Sequence, residues 1–466
     1  MTRIPIAALA TLLLGACAGA GPYHAPALPL APAWSAANSD PRAQPRDWWH
    51  DFGDAPLDRL IAAGLADNAD IAGALARVDQ ARAAAREAHA DRLPLMQTQN
   101  TIARQRQSID SGLGRLVPFV PGLSRVQNQG DLGVSTSWDL DLGGALAGRD
   151  HAAHADAEAS RAGLDATRLA VAAEIAQAYL DWRSARADRA LLRHQRELVA
   201  RQLGIVAARA AQGDAARRDG DEAGAALATF DAVLPDADRA VDLARNRIAI
   251  LIGRPAGSDM AELAGVAETA AMPVAGAPAA GTPADLLRHR PDLVLAEARL
   301  RASHARIGSA LAEYWPKLSL AGLFGFSSND LSLLGANSAN IISGAIGLRW
   351  RLFDFGRVDA EVAMARGAER EAIAAYRANV LSAGGDVENA FVTLDAARHA
   401  LAAREAADAI AERLLAQTHA RQRAGDASQI ETVVADTRRI DAARAVLAAQ
   451  SRLSAALVAC HRALGS

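Results

Sequence analysis

The sequence predicts a mainly α-helical chain that also carries a membrane β-sheet, and three observations predict it. Two stretches of 68 residues, Ala145 to Gln212 and Arg357 to Ala424, contain no proline. Several segments of about ten to thirteen residues alternate apolar and polar side chains, the period of a strand with one greasy and one wet face. The same landmarks also recur along the chain: Trp138 with Trp350, Ala178-Tyr179-Leu180 with Ala390-Phe391-Val392, and Gly213-Asp214 with Gly425-Asp426, all at one offset of 212.

Composition sets the limits. Hydrophobic residues make up 51% of the 466 and charged residues 22%, enough apolar surface for a large core and too much for a disordered chain. Aromatics are only 4%, and an alanine-rich apolar fraction favours long helices. Fifty Lys+Arg oppose 53 Asp+Glu, Lys317 is the single lysine, and the net charge of −3 offers no basic field for nucleic acid. Mean hydropathy is +0.02, and no apolar run reaches the ~18 residues of a transmembrane helix. A chain of this kind crosses a membrane only as a closed β-barrel.

The N-terminus reads as an address. Arg3 followed by the apolar run Ile4 to Leu14 is a signal segment over 1–16, too short to span. Leu14-Gly15-Ala16-Cys17 resembles the lipobox of bacterial lipoproteins, which implies N-palmitoyl and S-diacylglycerol groups on Cys17. Ala18, in place of Asp, implies delivery to the outer membrane. Several acyl chains anchor firmly where one does not. Residues 17–46, rich in Pro and Ala, form the lipidated tether. With Cys17 acylated, Cys460 has no intrachain partner, so no disulfide framework is expected.

The duplication organises the remainder. Asp70 to Pro94 and Asp292 to Pro316 are matching intervals of 24 residues. The first repeat spans 47–252, a Gly/Pro/Ala-rich joint spans 253–282, and the second repeat spans 283–466. Each copy reads helix, strand, strand, long helix, return helix. Hairpins are expected at about 95–142 and about 316–355. In the first, Leu132, Val134, Thr136, Trp138, Leu140 and Leu142 alternate with Asp131, Gly133, Ser135, Ser137, Asp139 and Asp141. Asp139 and Asp141 could suggest a metal site, but alternation explains them as lumen-facing residues. Leu318, Leu320, Phe324 and Phe326, then Ile342, Ile346, Leu348, Trp350 and Leu352, supply the second hairpin, while the strand at about 95–107 is mostly polar. These lengths suit tilted strands in a bilayer. Four strands cannot close a barrel, which needs about eight, so several chains must share one.

Within the first long helix Leu164, Val171, Ala178, Ala185, Leu192, Val199 and Val206 recur every seventh residue; the second shows Ile373, Val380, Val387, Leu394 and Leu401, with Asp408 interrupting and Leu415 resuming. Heptads of this length mean packing against neighbouring helices, and each run would extend ~100 Å. Gly213 and Gly425 sit where the helices must turn back in a left-handed conformation. Return helices follow from about 215 to 252, with Pro235 predicting a kink, and from about 427 to 464. Thr282-Pro283-Ala284-Asp285 reads as a capped helix start.

Two motifs carry a resemblance. Trp48-Trp49-His50-Asp51-Phe52-Gly53-Asp54 with Leu57 and Leu60, and Asp285-Leu286-Leu287-Arg288-His289-Arg290-Pro291-Asp292 with Ala296-Glu297 and Ile307-Gly308, are similar to the TolC-like outer membrane factors, in their NodT-type efflux lipoprotein branch. The resemblance spans nearly the whole mature chain. It implies a homotrimer whose twelve strands form one outer-membrane β-barrel, continued by a twelve-helix periplasmic α-barrel. It further implies a passive, gated conduit exporting small molecules, docked on a periplasmic adaptor (membrane fusion protein) and an inner-membrane pump of the resistance–nodulation–division type. A duct for type I protein secretion and a lipid-tethered coiled-coil scaffold are the alternatives.

The resemblance also places a constriction just after the turn glycines. Asp219 lies six residues past Gly213, Glu431 six past Gly425, and Ile430 stands where relatives carry an apolar plug. Rings of such carboxylates favour cations. Where some relatives have closing tyrosine and arginine links, this chain has Gln422 and Ala427. The alternative for the two acids is a role at helix starts. His151 and His154, beside Arg149 and Asp150, read as an exposed charged face with no metal, and Tyr179, Trp182 and Phe391 as packing residues. No P-loop or catalytic constellation appears, so no enzyme and no cofactor are expected.

Overall fold

A computed structural model describes residues 21–28, 31–35, 47–110, 112–122, 124–268, 272–276, 278–279 and 281–465. Cys17 and the signal segment lie outside the described residues. In chain order the elements are α1 (Ala55–Asp67), α2 (Ala69–Ala90), β1 (Leu95–Arg106), β2 (Val126–Asp139), α3 (Ala145–Ala211) and α4 (Arg217–Leu251). They are followed by α5 (Leu286–His289), α6 (Pro291–Leu311), β3 (Lys317–Ser328), β4 (Asn340–Arg349), α7 (Arg357–Ala424) and α8 (Gln429–Leu464). The two compact units of the chain are each assembled from both sequence copies. Among the described residues, one holds Val78–Ala159 and Ala296–Ala375 together with 21–26; the other holds Ala27–Arg77, Ser160–Leu295 and the chain from Tyr376 onward.

The first unit contains one antiparallel sheet in the order β1-β2-β3-β4. β1 was the most polar of the expected strands, yet it pairs with β2 over its whole length, from Leu95 opposite Ser137 to Arg106 opposite Val126. An indole N–H fixes the helical end of each hairpin. Trp138 Nε1 donates to the Arg92 carbonyl at 2.9 Å and Trp350 Nε1 to the Tyr314 carbonyl at 3.0 Å, the same bond made in both copies.

Two acids depart from the sequence reading. Asp141 does not act as a lumen-facing strand residue. Its backbone is left-handed at φ 47°, and its carboxylate accepts from Leu146 N (2.9 Å) and Ala147 N (2.7 Å), satisfying orphan donors at the start of α3. Asp354 does the same for α7, accepting from Gly356 N and Val358 N. Asp150 is not on an exposed face: it is 4% exposed, and it takes Arg92 at 2.7 Å with His89 and His154 each at 3.4 Å. Three cationic or protonatable partners compensate its burial and hold its carboxyl below the ordinary range.

In the helical unit the first heptad series is buried at Leu164, Val171, Ala178, Leu192, Val199 and Val206, with Ala185 half-buried. Asp408, the break in the second series, has a local reason, since Arg439 of α8 binds it at 2.7 Å. Helix α4 passes through Pro235 as one continuous element. The expected helix start at Thr282 is a turn instead. Asp285 donates its backbone N–H to the Thr282 carbonyl, while its carboxylate receives Thr282 N (2.9 Å) and Oγ1 (2.7 Å), and helix begins only at Leu286. The tether segment is partly docked: Trp34 is buried, and Ser35 donates N–H and O–H to Glu388 at 2.8 and 2.7 Å.

Candidate functional site

Register makes the four strands a single two-faced surface. Residues opposite one another in antiparallel pairs share a face. Leu132 lies opposite Phe326, Val134 opposite Phe324 and Trp138 opposite Leu320. Phe324 lies opposite Ile342, Leu320 opposite Ile346 and Leu318 opposite Leu348. That face is apolar across β2, β3 and β4, and it is bare: Ile342, Ile346 and Leu348 are 73%, 75% and 66% exposed. The reverse face carries Gln97, Gln99, Ser135, Ser137, Asp139, Ser319, Ser343 and Arg349. On it Asp131 accepts from Ser327 Oγ at 2.7 Å and Gln129 Nε2 at 3.1 Å. β1 and β4 pair on one side only, so the sheet ends in two open ladders.

The helix turns are the second feature. Gly213 and Gly425 have φ of +83° and +85°, a region that side chains resist. After each glycine the chain enters a helix whose third residue is the predicted acid. Asp219 accepts from Ala216 N at 3.2 Å, and Glu431 from Ser428 N at 2.7 Å while Ser428 Oγ takes Glu431 N at 3.2 Å. Both acids are therefore capping residues of α4 and α8. Donation from the Ser428 backbone holds the Glu431 carboxyl below its usual range. Ile430 and Asp219 come together in a cleft of about 300 Å³ lined also by Val206, Arg209, Asp214 and Glu222.

Sequence reasoning missed the arginines that fasten these turns. Arg209 Nη2 donates to the Asp214 carbonyl at 3.4 Å and Arg421 Nη2 to the Asp426 carbonyl at 2.9 Å. The signal was present as Arg209-Ala210-Ala211-Gln212-Gly213-Asp214 and Arg421-Gln422-Arg423-Ala424-Gly425-Asp426, an arginine four residues before each Gly-Asp. Gln422 adds a local bond, its carbonyl accepting from Gly425 N.

The two motifs that carried the resemblance are buried joints. Trp48 is fully buried between Trp49, Phe52 and the His461 ring, which stacks on it at 4.8 Å. Asp54 accepts from Tyr179 Oη and Arg183 Nη1, each at 2.8 Å, and burial pushes the Tyr179 phenol up to about 12. Tyr179 and Trp182 stack at 5.9 Å as packing residues. Arg290 is 9% exposed and joins Asp292 (2.7 Å), Asp386 (3.2 Å) and the Ala463 carbonyl (3.0 Å). Cys460 is free and buried, its thiol pushed up to about 11 by desolvation. Among the described residues no cluster of His, Cys, Asp and Glu could hold a metal.

The sequence profile described as outer membrane efflux protein matches residues 60–254 and 282–466. The chain is 32% identical to outer membrane protein OprJ of Pseudomonas aeruginosa over 84% of this chain and 81% of that one. It is 27% identical to the solvent efflux pump outer membrane protein SrpC of Pseudomonas putida, covering 81% and 80% of the two chains. The open state of the MtrE outer membrane channel of Neisseria gonorrhoeae superposes with a TM-score of 0.82 at 25% identity, over 96% of this chain and 97% of that one.

Proposed function

The chain belongs to the outer membrane efflux protein family, and from that membership we propose how its surfaces make a pore. It is an outer-membrane efflux channel that extends into the periplasm, and its activity is transport. The observation that carries the reading is the open four-stranded sheet with one face apolar across β2, β3 and β4. In a bilayer every backbone N–H and C=O must be paired, and an open edge leaves a whole ladder unpaired. Three copies, β4 of each beside β1 of the next, close twelve strands and put the apolar face against lipid.

The helical unit, with its heptads, supplies the periplasmic part of the conduit. Energy enters from a resistance–nodulation–division pump through a periplasmic adaptor. The cargo is small molecules, a reading supported by the solvent efflux named for SrpC. Gating at the turns uses Asp219, Ile430 and Glu431, for which the cleft between Val206 and Ile430 gives room to move; the open state named for MtrE supports a gated channel. Cys17 carries the N-palmitoyl and S-diacylglycerol anchor. Gly21, whose carbonyl lies 3.2 Å from His304 Nε2, is four residues from it, and four residues reach at most ~14 Å.

Purified protein in planar bilayers tests the reading. Discrete conductance steps from a species that migrates as a trimer until boiled are expected. A monomer that never conducts overturns it. For the gate, Glu431→Ala is expected to raise conductance and weaken cation preference; unchanged values remove that residue from the constriction.

A further inference from the structure

The outward face of the sheet is not apolar throughout. Its two outermost positions on β1 are arginines. Met96 lies opposite Thr136, Thr98 opposite Val134, Ile102 opposite Gly130, Arg104 opposite Asn128 and Arg106 opposite Val126. Alternation along β1 therefore puts Arg104 and Arg106 on the face shared with Val134, Phe324 and Ile342. Both are exposed, and neither side chain makes an ion pair or hydrogen bond among the described residues. The basic residues at the other end of the sheet behave differently: Lys317 binds Glu313 at 2.5 Å, and Arg351 binds Glu313 and Glu361 at 3.2 Å each.

Height along the strand identifies the environment. Trp138 marks the helical end of the lipid-facing band, the level at which aromatic girdles sit. Asn128, the partner of Arg104, is ten residues further along β2. At ~3.4 Å per residue and a tilt of ~40°, that is a rise of ~26 Å, against a lipid-facing apolar band of ~25 Å. The guanidinium of Arg104 thus leaves the hydrocarbon where the headgroups of the outer leaflet begin, and Arg106 stands among them. A cation facing lipid at that depth needs an anion, and a guanidinium binds phosphate oxygens in a two-pronged, charge-assisted geometry.

The surroundings have the same bias. Residues 104–125 carry Arg104, Arg106, Arg115 and Arg125 against the single acid Asp110, whereas the second hairpin's loop, 329–339, carries only Asp330. Arg115 and Arg125 donate through Nε to the Asp110 and Gln107 carbonyls at 2.9 Å, which holds both on the loop beside the strand end. Phe119 in the same loop is 81% exposed.

Resting on the proposed membrane orientation, we infer that Arg104 and Arg106 form a docking site for a phosphate-bearing lipid of the outer leaflet, the glycolipid type with phosphate monoesters on its sugar headgroup. Full-length protein purified in detergent and mixed with lipid A provides the test, with bound lipid per chain counted by native mass spectrometry. Arg104→Gln/Arg106→Gln is expected to lower retention about thirtyfold, the contribution of two headgroup-level arginines at ~1 kcal/mol each. Lipid A stripped of its phosphates should bind the parent protein as weakly. Arg104→Lys/Arg106→Lys keeps the charges but not the two-pronged geometry and should restore part of the binding, and Arg349→Gln, on the opposite face, should not matter.

Equal retention of lipid A by parent and double variant overturns the site, as does equal binding of stripped lipid. Competition by inorganic phosphate without any lipid dependence would also overturn it, by assigning the arginines to a soluble anion. Conductance of the double variant separates this inference from the channel reading, since the pore should conduct normally whichever way lipid binding turns out.

Discussion

The two copies of the duplicated unit close the same joint with different chemistry. In the first, Asn68 stands before α2, and its Nδ2 donates to the Leu251 carbonyl at the end of the return helix, 2.8 Å away. In the second, Arg290 stands before α6, and its Nη1 donates to the Ala463 carbonyl at 3.0 Å. Each return helix then ends on a left-handed glycine, Gly253 at φ +76° and Gly465 at φ +78°. Asn68 spends its Oδ1 on the Asp70 and Ile71 N–H groups at 2.9 and 3.2 Å. Arg290 has no acceptor to offer, so Asp292 caps Leu293 N in its place, and the cation is balanced by Asp292 and Asp386. A backbone geometry shared by both copies fixes where a donor must be. It does not fix whether the donor is neutral or charged, and the charged solution recruits two further residues.

Substitution at the two donors gives the largest contrast. Arg290→Ala removes a buried cation from the Ala463 carbonyl and from two half-exposed carboxylates, and losing charge-assisted hydrogen bonds together with the packed side chain costs about 3 kcal/mol. Asn68→Ala removes a neutral cap and one amide bond, for about 2 kcal/mol. Thermal denaturation of the purified channel should therefore rank Arg290→Ala well below Asn68→Ala. Equal losses would mean that Asp292 and Asp386 find solvent when Arg290 goes, and the charged joint would then be no more than an equivalent of the neutral one.

The helix ends differ again one turn earlier. Ala249, fully buried, occupies the first-copy position of His461. His461 is 1% exposed and stacked on Trp48, and burial pushes its imidazole down to about 4. Neutral in the folded chain, it takes up a proton on unfolding near its ordinary value of ~6.5. Stability is thus full above that pH and falls as pH drops toward 4, by about 3 kcal/mol in all. His461→Phe keeps the stack and should flatten the acid limb of a stability–pH curve; an unchanged limb would place the sensitivity elsewhere.

Those two closures also measure how much the sequence disclosed. The offset of 212, the heptads and the turn glycines were legible because helix period, strand period and left-handed backbone leave direct marks on residue type. Asp141 was misread because alternation continues on paper past the end of β2, while the backbone has already turned to cap α3. Asp150 was misread for the opposite reason: its neighbours in sequence are charged, and its partners His89 and Arg92 lie on another segment. The acids Asp219 and Glu431 cap the helices that follow the turns, but their caps are made to atoms that any residue carries, so sequence could not choose between cap and constriction.

Glycine substitutions sharpen the comparison at a smaller scale. A Cβ on Gly253 would stand 2.3 Å from the Asp67 carbonyl oxygen, rigid backbone of the α1 end, whereas on Gly465 it would meet Arg290 Cα and Cγ at 2.8 Å. Both changes carry the left-handed penalty of ~1–2 kcal/mol. Gly253→Ala adds the backbone collision and should denature at the lower temperature of the two. If Gly465→Ala proves the worse, the packing around Arg290 is the stiffer, and the charged joint is the more tightly held.

The smallest effect expected lies at the two turns, where one copy has a capping hydroxyl and the other does not. Ser428 closes a reciprocal box with Glu431, while Ala216 offers only its backbone to Asp219. Ser428→Ala should cost about 1 kcal/mol, and Ala216→Ser should return a few tenths to 1 kcal/mol. Because the Glu431 carboxyl is held below its usual range, its share of the box is present above the ordinary glutamate pKa and is lost as pH falls through the lowered one. Amide exchange at Ser428 reads this directly: protection should fall on acidification in the parent chain, and Glu431→Gln should show less protection at neutral pH with little further change. The matching amide of Ala216 in the Ala216→Ser variant should gain protection. If it does not, the first turn is set by Arg209 and Gly213 alone, and the two turns are stabilised in different ways despite their common backbone.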